Sequence, residues 1–334
     1  MAQCGIARID GLISGTGGLS PIGQGDSDKA AVGAVQDLFT GLGLTGLPNL
    51  LSPDYGIFGQ RTLDAVRTFC TQRAIPAQDV VSGTTLQAML QASATVPVAS
   101  QAYLTLVLDF PFAGLAKVVS ITAQMEGAGK FAALNLNTDR AGLSFGLIQW
   151  AQKPGRLAEI LGEFSSAAPD DYVRIFGAGD STLASALLTH SRKPKGGIDP
   201  ATGQTIDPAF NLVAEPWISR FRQAALFLPL QKVQVRTALK DFGNSLAALR
   251  QYAPQLRSER AVAFMLDLAN QFGDPGTRSI YQAVRKPGMP EVELLQAVAT
   301  ESVQRIQDPF KAGTQARRTH FLTTEFLSDG PFSG

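Results

Sequence analysis

Glu126 and Asp139 are the residues of this chain whose types and setting could do chemistry together. Glu126 follows a run in which Leu115, Val118, Val119 and Thr122 recur at helical spacing. It falls on the same stripe, which predicts a carboxylate facing the inside of a domain or a cleft. A carboxyl in an apolar niche has its pKa raised and can stay protonated near neutrality, the state a general acid needs. Asp139 lies in the polar loop that follows, where a carboxylate stays ionised. Two carboxyls in unlike environments are the equipment for glycosidic bond hydrolysis. The alternative for Glu126 is a helix-end acid in a surface ion pair, since Glu is rarely buried unless paired.

The residues around them suit a sugar. Gln149 offers an amide for hydroxyl groups, and the Trp150 indole is read either as a stacking surface for a sugar ring or as core. Asn135 and Asn137 have side chains suited to acetamido or hydroxyl groups, but equally suited to turns, and the turn is the preferred reading. The two histidines, His190 and His320, are far apart in sequence. Nothing in the pattern suggests a metal site, and no cofactor is expected.

The elements that must position these residues can be read from the pattern. A helix from about Leu115 is stopped by Gly127 and Gly129. The segment Lys130–Arg140 reads as a loop, and Leu143–Trp150 as a short apolar hairpin. After it come helices over 157–164, two within 168–188, and others over 218–227, 233–242 (ended by Gly243), 258–272 (followed by Gly273) and 291–306. His190–Asn211 reads as a long polar loop, a length associated with lids or disorder. Asp267, Asn270 and Gln271 sit on a helix that could close a cleft, with Asp267 as a supporting acid. Arg305, Arg317 and Arg318 read as a solvated cationic tail.

Upstream, residues 1–26 have no clear period and read as an arm. A helix start is expected at 26–28, with Val32, Val35, Leu38 and Phe39 as its apolar stripe. A turn with Gly56 and Gly59 follows, and Thr62 is expected to cap a second helix carrying Leu63, Val66 and Phe69. A third, short helix carries Leu86, Met89 and Leu90. Ala92–Ser100 is small-residue and Pro-containing, as linkers are.

Residues 29–91 resemble the three-helix peptidoglycan-binding domain of bacterial cell-wall hydrolases. The resemblance is carried by Val32, Val35-Gln36 and Leu38, and by the turn Gly56-Ile57-Phe58-Gly59 leading to Thr62. Ala65-Val66, Phe69, Val81, Thr85-Leu86 and Met89-Leu90 complete it. Tyr55 stands where the family usually has Asp, and Cys70 where it has Gln. The resemblance implies wall binding around Tyr55, Phe58, Arg61 and Thr62. The segment Asp139-Arg140-Ala141-Gly142-Leu143-Ser144-Phe145-Gly146-Leu147-Ile148 is similar to the motif of bacterial chitosanases and, more loosely, of phage-type lysozymes. By that likeness the second domain resembles the lysozyme-like superfamily. The likeness implies Glu126 as general acid, Asp139 as second carboxylate and Ser144 as a holder of the attacking water. The expected fold is therefore mainly α (α+β, lysozyme-like) with a short antiparallel sheet. The expected domains are 1–92, a linker 93–100, and a catalytic domain 101–334. The function expected is muramidase-type hydrolysis of peptidoglycan β-1,4 bonds. A chitosanase-like hydrolase, a lytic transglycosylase and a non-catalytic wall-binding protein are the alternatives.

Composition bounds the rest. The chain has 334 residues, 45% apolar and 17% charged, with a net charge of +1. It is long enough for two cores, and its charge gives no steering toward nucleic acid. The N-terminus lacks the basic start and long apolar core of a signal peptide, and no run has the length of a membrane-spanning helix. The expectation is a monomer that is not inserted in a membrane. It would act on a bacterial amino-sugar polymer in the periplasm or outside the cell, reached by phage lysis, a secretion system or a removed signal. Two cysteines, Cys4 and Cys70, are too few for a disulfide framework. A bridge between them is conceivable, and a buried thiol is the reading for Cys70.

Overall fold

A computed structural model describes residues 4–49, 52–92, 100–136, 141–191 and 208–334. The chain is mainly helical with one small antiparallel sheet, as its pattern predicts. By compactness it divides into two units. The first comprises residues 1–112 and 123–237, the second residues 113–122 and 238–334.

The first unit opens with four helices: α1 (Ala7–Ser14), α2 (Lys29–Gly41), α3 (Gln60–Gln72) and α4 (Gly83–Gln91). α1 lies in the segment expected to be an irregular arm. Ile9, Leu12 and Ile13 are its buried face, and it packs on α4. The cap of α2 is Asp28, whose Oδ1 accepts from the Ala31 N–H at 3.0 Å. Ser82 and Thr85 form a reciprocal capping box at the start of α4. The three main helices bury Val32, Val35, Phe39, Val66, Phe69 and Leu86 in one core with Cys4 and Cys70. Each such side chain stabilises by about 1.5–3 kcal/mol relative to leaving it in water. Phe39 and Phe69 meet edge to face, ring centroids 5.6 Å apart. Both cysteines are free and buried, so there is no bridge.

Buried Gln36 fixes the Gly56–Gly59 turn. Its Oε1 accepts from Gly56 N–H at 2.9 Å, and its Nε2 donates to the Ile57 carbonyl and to Thr62 Oγ1, each at 3.0 Å. Thr62 is thus not the expected helix cap. α3 begins at Gln60 with Gly59 before it, and Thr62 lies within the helix at 1% exposure.

A π-helical turn, Tyr103–Val107, precedes α5 (Leu115–Gly127). The sheet follows as β1 (Leu134–Leu136), β2 (Leu143–Phe145) and β3 (Trp150–Ala151), in that order and antiparallel. Helices α6 (Arg156–Ala167), α7 (Pro169–Phe176), α8 (Ser181–His190) and α9 (Trp217–Ala224) complete this part. Phe164, Tyr172, Phe176, Phe221 and Phe145 form a run of touching rings that joins α6, α7 and α9 to the sheet. The flanks of the expected long loop meet: His190 stacks on Phe210 at 3.9 Å, and Phe210 on Trp217 at 5.5 Å. Most of that loop, like most of the expected linker, lies outside the described residues.

The division between units falls within α5 and within α10 (Leu228–Tyr252). α10 runs straight through Gly243, which was expected to end a helix. One glycine costs a helix interior only about 1 kcal/mol, and flanking buried Phe242 and Leu249 outweigh it. The second unit continues with α11 (Glu259–Val284), α12 (Glu291–Gln304) and α13 (Lys311–Thr323). α11 breaks at Gly273, φ 69°, and restarts with Pro275. α13 carries Arg317 and Arg318, which are not a solvated tail. They are 9% and 0% exposed, and both pair with Asp267, at 2.5 and 3.1 Å. Among the described residues no helix is long and apolar enough to cross a membrane.

Candidate functional site

α5 is buried on every side from Val118 to Gln124, so it is not the one-sided stripe its spacing suggests. Glu126 is where the helix leaves that packing, and it is half-buried rather than enclosed in an apolar niche. The helix is closed by left-handed Ala128, φ 54°, with the Gly129 N–H donating to the Ala123 carbonyl at 2.9 Å. The bond reaches back one residue further than the usual 6→1 closure of a helix end. Gly127 is the last helical residue, and Gly129 is left-handed as well, φ 71°.

The end of the acid-bearing helix lies directly against the sheet. At Gly127 a Cβ would sit 2.4 Å from Ala133 Cβ and 3.7 Å from Gln149 Nε2. Ala133 in turn accepts from the Gly146 N–H at 2.9 Å. Gln149, left-handed at φ 57°, donates through Nε2 to the Gly146 carbonyl at 2.9 Å and to Ala133 at 3.3 Å. Gln149 is thus beside the turn that carries Glu126, and its amide nitrogen is engaged in holding the hairpin.

The sheet register pairs Asn135 with Ser144 and Ser144 with Ala151. Asn135 is therefore a strand residue, not the turn former expected, because the segment read as a loop holds β1. Ser144 is central in the sheet and 3% exposed, a poor position from which to hold a water entering a cleft. Trp150 is 2% exposed and packs where a Cβ on Gly146 would meet its ring at 3.1 Å. Its indole is core and presents no face for a sugar. Asn137 and Asp139 lie outside the described residues.

Two glutamines missed by the pattern position this assembly. Gln234 on α10 is fully buried. Its Oε1 accepts from Leu147 N–H at 3.0 Å and its Nε2 donates to the Phe131 carbonyl at 3.1 Å, so it ties the hairpin turn to the segment before β1. Gln231, one turn earlier, accepts from Tyr103 Oη at 3.0 Å and donates to the Ala225 carbonyl at 2.8 Å. Polar residues on an otherwise apolar helix face were the available signal.

The four residues expected to bind the wall are spread over different environments. Phe58 is 4% exposed and Thr62 is buried, so both serve the core. Tyr55 is half-buried and donates its hydroxyl to Asp37 Oδ2 at 2.7 Å. Burial pushes Asp37 up to about 7, offset in part by that hydrogen bond. The Tyr55 hydroxyl is pushed well above its usual value by burial and by the Asp37 charge. Arg61 is exposed, pairs with Asp54, and borders a surface groove with Leu44, Asp64, Thr68 and Gln72.

A scan against protein-family models finds no match, and a search of curated proteins finds none either. Among solved structures, the chain is similar to a native chitosanase from Bacillus subtilis MY002. It is similar to the same degree to a mutant of that chitosanase complexed with 6 GlcN. In each case the identity is 13% and the TM-score 0.42, over 63% of this chain and 84% of the other. A likeness that distant carries no inference about reaction or substrate.

Proposed function

We propose that this chain is a glycoside hydrolase of amino-sugar polymers, of the muramidase type, with Glu126 as its general acid. What supports the reading is one juxtaposition: a half-buried carboxylate at the end of a buried helix, whose last turn packs on a three-stranded sheet. A carboxyl at such a junction is rigidly held and still open to a ligand, as a proton donor to a glycosidic oxygen must be. Asp139 supplies the second carboxylate in this reading. If it activates water for inversion, the two carboxyls stand about 6.5–9.5 Å apart during reaction. Gln149 lends its amide oxygen to the sugar, its nitrogen being engaged. The helices of residues 1–92 then serve as the wall-binding module, with exposed Arg61 rather than Phe58 or Thr62 as the contact.

The test is digestion of purified peptidoglycan sacculi by the wild type and by Glu126→Gln, with mass spectrometry of the products. Reducing-end muramic acid products, reduced at least about 1,000-fold in the variant, are expected. Anhydro-muramic ends would make the enzyme a transglycosylase and remove Asp139 from the reaction. Cleavage of chitosan oligomers alone would move the substrate to glucosamine polymers. Binding to sacculi without release by either protein would sink the enzyme reading.

A further inference from the structure

The second unit holds a groove that the proposed reaction does not use. It lies between the end of α10 and the restarted segment of α11 and has a volume of about 440 Å³. Gln251, Tyr252, Asp274, Arg278, Ser279 and Gln282 line it. Its size is in the range of small-molecule sites.

The groove carries one acid and one base, Asp274 half-buried and Arg278 exposed. Asp274 and Arg278 stand four residues apart across the restart of α11, Asp274 just before its first residue, Pro275, a spacing at which an acid and a base can pair. Glu301 and Arg305, at the same spacing in the same unit, do so at 2.8 Å. Asp274 and Arg278 do not: neither has a hydrogen bond or an ion pair with a described residue. Both nonetheless act on the same aromatic ring. The Tyr252 hydroxyl is pushed up to about 12, by burial first and then by Asp274, with Arg278 pulling the other way. The ring is held from behind by Tyr281, centroids 5.5 Å apart, and Ser279 is fixed by a 2.9 Å bond from Arg305 Nη1. The groove thus has a tyrosine flanked by one anion and one cation without a partner among the described residues, with two amides alongside.

We propose that this groove binds a short zwitterionic peptide, its ammonium on Asp274 and its carboxylate on Arg278. A purely cationic glycan would meet Arg278, and a purely anionic ligand would meet Asp274. A ligand carrying both charges pairs with both groups. Gln251 and Gln282 offer donors and acceptors to the peptide group, and Tyr252 a surface for its side chains.

Calorimetric titration of the full chain with alanylalanine tests it, beside the N-acetylated, the amidated and the doubly blocked peptide. Free alanylalanine is expected to bind, and each single block to weaken it about tenfold, the worth of one charge-assisted hydrogen bond. In Asp274→Asn the amine block should cease to matter, and in Arg278→Gln the carboxylate block. Asn preserves the helix-start preference of Asp, and thermal unfolding checks that both variants fold. If either does not, the four peptides on wild-type protein still decide. No binding at millimolar peptide, equal binding of the doubly blocked form, or displacement by glucosamine oligomers at equal concentration would each overturn the proposal. Glu126→Gln should bind the peptide as wild type does, so failure of the hydrolase reading and failure of this one are told apart.

Discussion

A carboxylate at 0% exposure between two guanidinium groups, as Asp267 is between Arg317 and Arg318, is there for the fold and not for a cleft. Breaking a buried ion pair by removing one partner typically costs about 3–5 kcal/mol, because the other charge stays buried. Asp267→Asn should therefore lower the free energy of unfolding by that order in a denaturant titration, without a direct effect on any bond-breaking step. Gln234 makes the corresponding case in the first unit. Gln234→Leu leaves the Leu147 N–H and the Phe131 carbonyl without their buried partner, at roughly 1–3 kcal/mol for each group. Hydrogen exchange at Leu147 should quicken, and kcat should fall more than KM rises, since the hairpin beside Glu126 is loosened. An unchanged exchange rate would remove Gln234 from the positioning of the site.

At the scale of elements, the β2–β3 hairpin depends on its tightest turn. Gly146 has φ 82°, and a Cβ there would lie 2.5 Å from Gln234 Oε1. Gly146→Ala thus combines backbone strain with a clash against a buried hydrogen-bond partner. A loss of roughly 2 kcal/mol or more is expected in thermal unfolding, and no loss would mean that Gln234 moves aside freely. The same hairpin shows what the pattern could reveal. The run Leu143–Trp150 is apolar and β-rich, so β2 and β3 were legible. β1 was not, because three residues with an Asn at the centre look like the loop around them, and only pairing with β2 makes a strand. α5, α6, α12 and the break at Gly273 were legible from periodicity and glycine stops. α13 was hidden because two of its three buried residues are arginines, with Phe321 the third. Cations at helical spacing read as surface unless the carboxylate that receives them, fifty residues away in sequence at Asp267, is already known. Of the site, Glu126 was legible as a helix-end acid. The burial of Ser144 was not, and that of Trp150 was one of two open readings, because alternation assigns the two faces of a strand without saying that both are covered.

For the molecule as a whole, pH acts on the helical module at the N-terminus through Asp37. Its folded-state value of about 7 stands above the ordinary 3.8, so the folded chain holds a proton that the unfolded chain has released between those values. The stabilisation is complete below about pH 4 and is lost as pH rises through about 7, at up to about 1.4 kcal/mol per unit. The module should melt at a lower temperature at pH 7.5 than at pH 5, and Asp37→Asn should flatten that slope. A slope unchanged by the substitution would assign the dependence to another group. The free cysteines make the same module observable by itself. Cys4 and Cys70 are the chain's only thiols, and both are sealed in this one core. Burial pushes Cys4 up to about 12, so a negligible fraction is thiolate at neutral pH. An alkylating reagent must therefore wait for the module to open, and its rate of uptake becomes a clock for that opening alone. Labelling that keeps pace with loss of helical signal over the whole chain would mean that the module unfolds with the rest. Labelling that runs ahead of it would mean that the N-terminal helices come apart first, while the remainder stays folded.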